Sequence, residues 1–148
     1  MTKIKGEEFK NIFKKICEFD RHMGFEFEIK KPGDVIYRLT IKEKHLSSPH
    51  QCHGGALAAL MDATVGLSAL SYAIEREKLC STIELKTNFL ERAFLGDRLR
   101  ADGKIEYAGN SIIVGSGDIF KDETLIAKSL GTFKMYPSTK MALEKWMD

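Results

Sequence analysis

The chain has 148 residues, 43% of them hydrophobic and 30% charged, with a formal net charge of +2. This is the size and balance of one globular domain spanning 1–148; it excludes a disordered chain, and with no basic run beyond pairs such as Lys14-Lys15 and Lys30-Lys31 it excludes a dedicated nucleic-acid surface. Three cysteines, Cys17, Cys52 and Cys80, without a CxxC, fit a reducing cytoplasm rather than a disulfide framework.

From the N-terminus, Met1 to Lys15 is charged throughout and lacks the apolar core of a signal peptide. Phe9, Ile12, Phe13, Ile16 and Phe19 fall at helical spacing, which predicts an amphipathic helix over about 7–22 that ends near Gly24. Two strands follow, about Phe25 to Lys30 and Val35 to Glu43, joined at Pro32-Gly33-Asp34; in the second, Val35, Tyr37, Leu39 and Ile41 alternate with more polar positions. A loop then leads to a long apolar helix from Gly55 to Ile74. Beyond it the pattern is all strand: about Cys80 to Leu90, Asp97 to Tyr107, Ser111 to Phe120 and Leu125 to Tyr136. Their connections carry turn signals at Leu95-Gly96-Asp97, Ala108-Gly109-Asn110 and Lys121-Asp122-Glu123. The tail, 137–148, offers a short helix over Ser138 to Trp146. One buried helix followed by antiparallel strands is an α+β arrangement, with the sheet curled around the helix to bury it.

The only charged residue between Gly55 and Ile74 is Asp62, so this helix is predicted to have almost no solvated face. At about 100° per residue, Gly55, Ala58, Ala59, Asp62, Gly66 and Ala69 share one side. A carboxylate among the smallest side chains has room beside it for a water, a ligand or a second helix. It either caps backbone or pairs with an arginine in the core, or it belongs to a site; an enclosed Asp is rare unless partnered, which favours the site. The helix is long enough to cross a bilayer. A mid-span Asp and a composition of Ala, Gly and Ser rather than Leu argue against that reading.

The run His53-Gly54-Gly55 followed by Leu60 and Asp62, the strand from Thr82 to Leu90, Leu95-Gly96-Asp97, Tyr107-Ala108-Gly109-Asn110, and Leu125-Ile126-Ala127 through Gly131-Thr132-Phe133 together resemble the hotdog-fold acyl-CoA thioesterases. The branch typified by phenylacetate-pathway thioesterases and thioesterase superfamily member 2 is the nearest in pattern. The resemblance spans about 25–136 and implies a hotdog fold, hydrolysis of an acyl-CoA to free acid and CoA, a cytoplasmic homodimer that pairs into a homotetramer, and no cofactor beyond the CoA thioester as substrate. A non-catalytic acyl-CoA-binding protein on the same fold, a sensor or carrier, is the alternative.

Elementary chemistry agrees with that implication. Thioester hydrolysis needs an attacking water or carboxylate and donors aimed at the oxygen that becomes negative. The first amides of a helix are unsatisfied and sit at its positive end, so those of Gly54 and Gly55 suit an oxyanion. Eight residues at 1.5 Å rise nevertheless separate Gly54 from Asp62 by about 12 Å. One chain cannot bring both to one carbonyl. Two antiparallel copies of the helix can, which predicts a symmetric dimer with two composite sites.

By resemblance, Gly54 supplies the oxyanion amide, Asp62 acts as base or nucleophile and Thr82 helps orient the attacking water. His53 reads as a residue that orients the loop beside Gly55. These enzymes usually carry an Asn six residues before the HGG histidine; this chain has Ser47 there. The pantetheine arm and nucleotide are expected along Phe89 to Phe94, the turn Gly109-Asn110-Ser111 and the last strand near Lys134, with Arg92 and Lys134 as phosphate partners. Asn110 stands where relatives often carry a cation. His45, His50, Cys52 and His53 lack the paired spacing of a structural zinc site, so no metal is expected. Gly54-Gly55, Gly115 and Gly117 form no phosphate-binding fingerprint.

Overall fold

The computed structural model describes residues 6–138. The N-terminal apolar stripe forms two helices rather than the single one expected, α1 (Glu7–Ile16) and α2 (Glu18–Met23), with Cys17 outside helical geometry at φ −82°, ψ 80°. Packing explains the break. It turns Asp20 inward, where its carboxylate accepts a 2.7 Å hydrogen bond from Tyr37 Oη, and the guanidinium of Arg21 covers the Lys15 carbonyl left at the end of α1 at 2.8 Å. Gly24, at φ 77°, closes α2 in the left-handed conformation.

Pro32 and Gly33 then turn the chain between β1 (Glu26–Lys31) and β2 (Asp34–Thr40). Proline presets the first turn position and Gly33, at φ 88°, supplies the second. The second strand ends at Thr40, short of the expected Glu43, because the chain leaves the ladder for a 3₁₀ turn at Glu43–His45. Where a plain loop was expected, β3 (Leu46–Ser48) and β4 (Gln51–Cys52) form a small hairpin. His45, 1% exposed, anchors this segment: its Nδ1 accepts the Lys42 N–H at 2.9 Å and its Nε2 lies 2.8 Å from the Met23 carbonyl.

The central helix α3 (Gly54–Ile74) and strands β5 (Lys78–Phe89), β6 (Arg98–Ala108), β7 (Ile112–Lys121) and β8 (Thr124–Pro137) fall within two residues of their expected bounds. With β1 and β2 these strands form one antiparallel sheet in the order β1-β2-β6-β7-β8-β5, and α3 packs against β2, β5, β6, β7 and β8. This is the hotdog arrangement. It also explains why a 21-residue helix of mean hydropathy 1.5 is apolar: the sheet is its surroundings.

Glycines set how closely helix and sheet approach. A Cβ on Gly103 of β6 would lie 2.5 Å from Ser68 Oγ and 2.8 Å from the Thr64 carbonyl oxygen; one on Gly117 of β7 would lie 2.5 Å from Met61 Sδ. The buried hydroxyls of α3 bond back to their own helix, Thr64 to Leu60 at 2.6 Å and Ser68 to Thr64 at 3.0 Å, so the contact leaves neither unsatisfied.

One expectation about the central helix needs correction. Asp62 is not enclosed: with Gly55 it is exposed, and Ala58, Ala59 and Gly66 are only half-buried, because the sheet ends at β5 and leaves that side of α3 uncovered among the described residues. The C-terminal helix expected over 138–146 lies outside the described residues apart from Ser138, whose N–H and Oγ both bond the Glu77 carbonyl.

Candidate active site

The N-terminus of α3 is held by His53. In extended geometry at φ −69°, ψ 135°, it caps the helix by accepting the Gly55 N–H on Nδ1 at 2.7 Å, which leaves its proton on Nε2. Its own N–H is bound to the His45 carbonyl at 2.7 Å. Of the two glycine amides, that of Gly55 is therefore occupied, while the Gly54 N–H has no acceptor among the described residues. His53→Ala is expected to lower stability by about 1 kcal/mol through loss of the cap, measured as a reduced urea midpoint at unchanged slope. An unchanged midpoint would dismiss the capping role.

Gly54 opens into a groove of about 590 Å³ lined by Gln51, Cys52, Leu57 and the segment Phe89 to Phe94. That segment is strapped in place: the Cys52 N–H bonds the Ala93 carbonyl at 2.8 Å, the Leu95 N–H bonds the His50 carbonyl at 2.7 Å, and Asp97 Oδ2 accepts the Phe94 N–H at 2.8 Å. Phe89, Leu90 and Phe94 remain about half exposed, so the groove carries an apolar lip with Arg92 beside it. Gly54, Phe89 and Arg92 thus line one groove.

Asp62 lies in a different groove of about 380 Å³, lined by Phe13, Phe19, Ala59, Gly66, Leu67, Leu70 and Phe133 among others. Thr82, on β5, places its Oγ1 3.5 Å from Asp62 Oδ1, at the outer limit of a hydrogen bond. The apolar walls desolvate the carboxyl and push its pKa above the ordinary value; the Thr82 hydroxyl pulls it down and the charge of Asp20 pushes it further up. Cys80 faces the same groove, and burial pushes its thiol up to about 12, so it is no nucleophile at neutral pH.

Asp20, which the sequence reading passed over, also lines this groove. It is 6% exposed, and burial raises its pKa while hydrogen bonds from Tyr37 and Cys17 oppose the rise. A signal was available: Phe9, Phe13, Ile16 and Asp20 share one helical stripe, so a carboxylate stood on an apolar face.

The remaining expected residues sit elsewhere. Ser47, on β3, is exposed and lines neither groove. Gly109, Asn110 and Ser111 form the turn between β6 and β7, where the Gly109 N–H bonds the Ile112 carbonyl and Lys78 Nζ reaches the Asn110 carbonyl oxygen at 2.7 Å. Lys134 pairs with Ser81 at the start of β5, whereas Arg92 follows its far end. Eight residues of strand, about 26 Å, separate Ser81 from Phe89. Within one chain Arg92 and Lys134 do not meet.

The Thioesterase superfamily profile matches residues 51–128. SSO2140, a provisionally named esterase of Saccharolobus solfataricus, is 30% identical over 124 residues, covering 82% of this chain and 86% of that protein. The PaaI protein of the Escherichia coli phenylacetic acid degradation operon superposes with a TM-score of 0.80 at 19% identity, over 88% of this chain and 92% of its own. A hypothetical thioesterase of Streptococcus pneumoniae, solved with coenzyme A, superposes with a TM-score of 0.70 at 23% identity, over 78% and 91% of the two chains.

Proposed function

This chain belongs to the thioesterase superfamily and is a thioester hydrolase, and from that premise we propose that it cleaves acyl-CoA thioesters to free acid and CoA in a site shared between two subunits. The observation that carries this reading is the division of the site. The Gly54 amide opens into one groove and the Asp62–Thr82 pair into another, on a single helix, beside the 12-residue edge strand β5 whose outer side no described strand pairs. A long unpaired edge is a template for a second strand. Pairing two β5 edges antiparallel about a two-fold axis sets two α3 helices antiparallel, which carries Asp62 of one subunit toward Gly54 of the other.

In that arrangement the thioester oxygen receives the Gly54 N–H at the positive end of α3, where negative charge develops in the tetrahedral intermediate. Asp62 of the facing subunit takes the proton from the attacking water, or attacks the carbonyl itself, with Thr82 holding the carboxylate or the water in line. The proton passes finally to the departing CoA thiolate. The same two-fold brings Arg92 of one chain toward Lys134 of the other, a cationic rim for CoA phosphates. That the Streptococcus pneumoniae relative holds coenzyme A supports CoA as the leaving group, and three free cysteines fit a cytoplasmic setting.

The test is thiol release from short, long and aromatic acyl-CoAs, with matched oxygen esters alongside. Turnover of CoA thioesters at least 100-fold faster than of the oxygen esters is expected. Turnover confined to oxygen esters, or CoA-ester binding without thiol release, would overturn the assignment.

A further inference from the structure

Among the described residues Asp20 is a carboxylate without an ion-pair partner. Its donor is neutral, Tyr37 Oη at 2.7 Å, and the Cys17 thiol lines the same groove. The nearest cation in sequence, Arg21, is turned away to the Lys15 carbonyl and to Glu18 at 3.6 Å. Joining α2 to β2 requires only a hydrogen bond, which an Asn or Ser provides without burying a charge. The buried charge itself needs an account.

Its surroundings supply one. Asp20 and Asp62 line the same groove, from α2 and α3 respectively, with apolar side chains filling the wall around them. The titratable groups that line the groove with Asp62 are Cys17 and Asp20 from the N-terminal helical segment and Cys80 from β5, with Tyr37 of β2 behind Asp20; Lys14, Arg21 and Glu26 line an adjoining cavity with Asp20. Among the described residues no cation lines the groove itself. Two like charges that line one groove each alter the proton affinity of the other.

Resting on the reading that Asp62 is the reactive carboxylate, we propose that Asp20, fixed by Tyr37 in the wall of the Asp62 groove, is a positioning residue whose negative charge keeps Asp62 a strong base. Burial works against the ionised form of Asp20 while Tyr37 and Cys17 favour it, and the charge of Asp20 adds to the rise in Asp62's proton affinity that desolvation begins. Two carboxylates in one groove thereby receive different tasks. A base whose proton affinity is raised toward the working pH transfers protons more effectively than one left at the ordinary carboxylate value.

The experiment is kcat/KM against pH, on the CoA thioester that wild type hydrolyses fastest, for wild type, Asp20→Asn, Asp20→Glu and Tyr37→Phe. Removing the charge in Asp20→Asn is expected to move the acid limb down by about half a pH unit or more and to lower the plateau about 3- to 10-fold. Asp20→Glu retains the charge and keeps the wild-type limb, whatever it loses in rate through altered packing. Tyr37→Phe eases protonation of Asp20 and shifts the limb part of the way in the same direction. Equal rate losses in Asp20→Asn and Asp20→Glu with the limb unmoved would reduce Asp20 to a structural tie. Should Asp20→Asn fail to fold, an unmoved limb in Tyr37→Phe has the same force. Full activity in Asp62→Asn would instead defeat the underlying site assignment, so the two failures are separable.

Discussion

Asp62→Asn and Gly54→Pro are each expected to lower thiol release by about 10²-fold or more, and mixing the two inactive proteins is expected to restore about a quarter of the wild-type rate. Asn is nearly isosteric with Asp62 but neither takes a proton nor attacks a carbonyl. Proline removes the Gly54 N–H and adds a small ring whose Cβ would stand 3.9 Å from Phe89. It is tolerated there because Gly54 is the first helical residue after the His53 cap, and His53 already has the extended geometry that a following proline demands. In random mixtures half the dimers pair one variant with the other, and in each of those one site combines the intact Asp62 of one chain with the intact Gly54 of its partner. Sites completed within one chain would recover nothing on mixing. Rates of each variant alone and after co-refolding, with the dimer fraction checked by sedimentation, distinguish the two cases.

The same Asp62 variant carries a stability sign. Burial raises the folded pKa of Asp62 above the ordinary carboxylate value, so the native state binds more protons than the unfolded chain between those two values. Stability therefore falls as pH rises through that window, and the cost persists above it. Asn escapes the cost, so Asp62→Asn melts no lower than wild type at neutral pH, and the gap closes as pH falls below the ordinary carboxylate range. A lower melting temperature at neutral pH would show that the carboxylate is a structural partner.

Gly103→Ala is expected to destabilise the fold by about 2–3 kcal/mol, a fall of roughly 5–10 °C in melting temperature for a domain of this size. The obstacle is backbone as well as side chain. The added Cβ meets the Thr64 carbonyl at 2.8 Å and Ser68 Oγ at 2.5 Å, and relief requires α3 to move off the sheet. Moving α3 also displaces Asp62, so activity should fall with stability. A variant melting within about 1 °C of wild type would show that the helix has room to shift.

Most of the local structure was legible in the sequence. Period-2 alternation located β2, strand pattern between turn signals located β5 to β8, and an uninterrupted apolar run located α3, because such patterns record how an element meets the core and where it ends. The N-terminal helix was misread as continuous, since the stripe through Phe9, Phe13, Ile16 and Asp20 continues past Cys17; nothing in the spacing shows that the backbone breaks there to meet Tyr37. Gly103 and Gly117 read as ordinary strand glycines until α3 was placed against them.

For the proposed site, the sequence by itself supplied the candidates: His53-Gly54-Gly55 at a helix start, one carboxylate two turns later among small residues, and a separation of about 12 Å that argues for a site shared between two chains. These are properties of a single helix, whose geometry follows from local spacing. Only the tertiary structure decided that His53 occupies the Gly55 amide and leaves that of Gly54 open, that Thr82 meets Asp62, that a second carboxylate shares its groove, and that the sheet stops at β5 with the Asp62 side of α3 uncovered. Each of these depends on contacts between residues remote in the chain, which periodicity does not encode. The packing of α3 against the sheet selects which groups are satisfied and which are left available for a substrate.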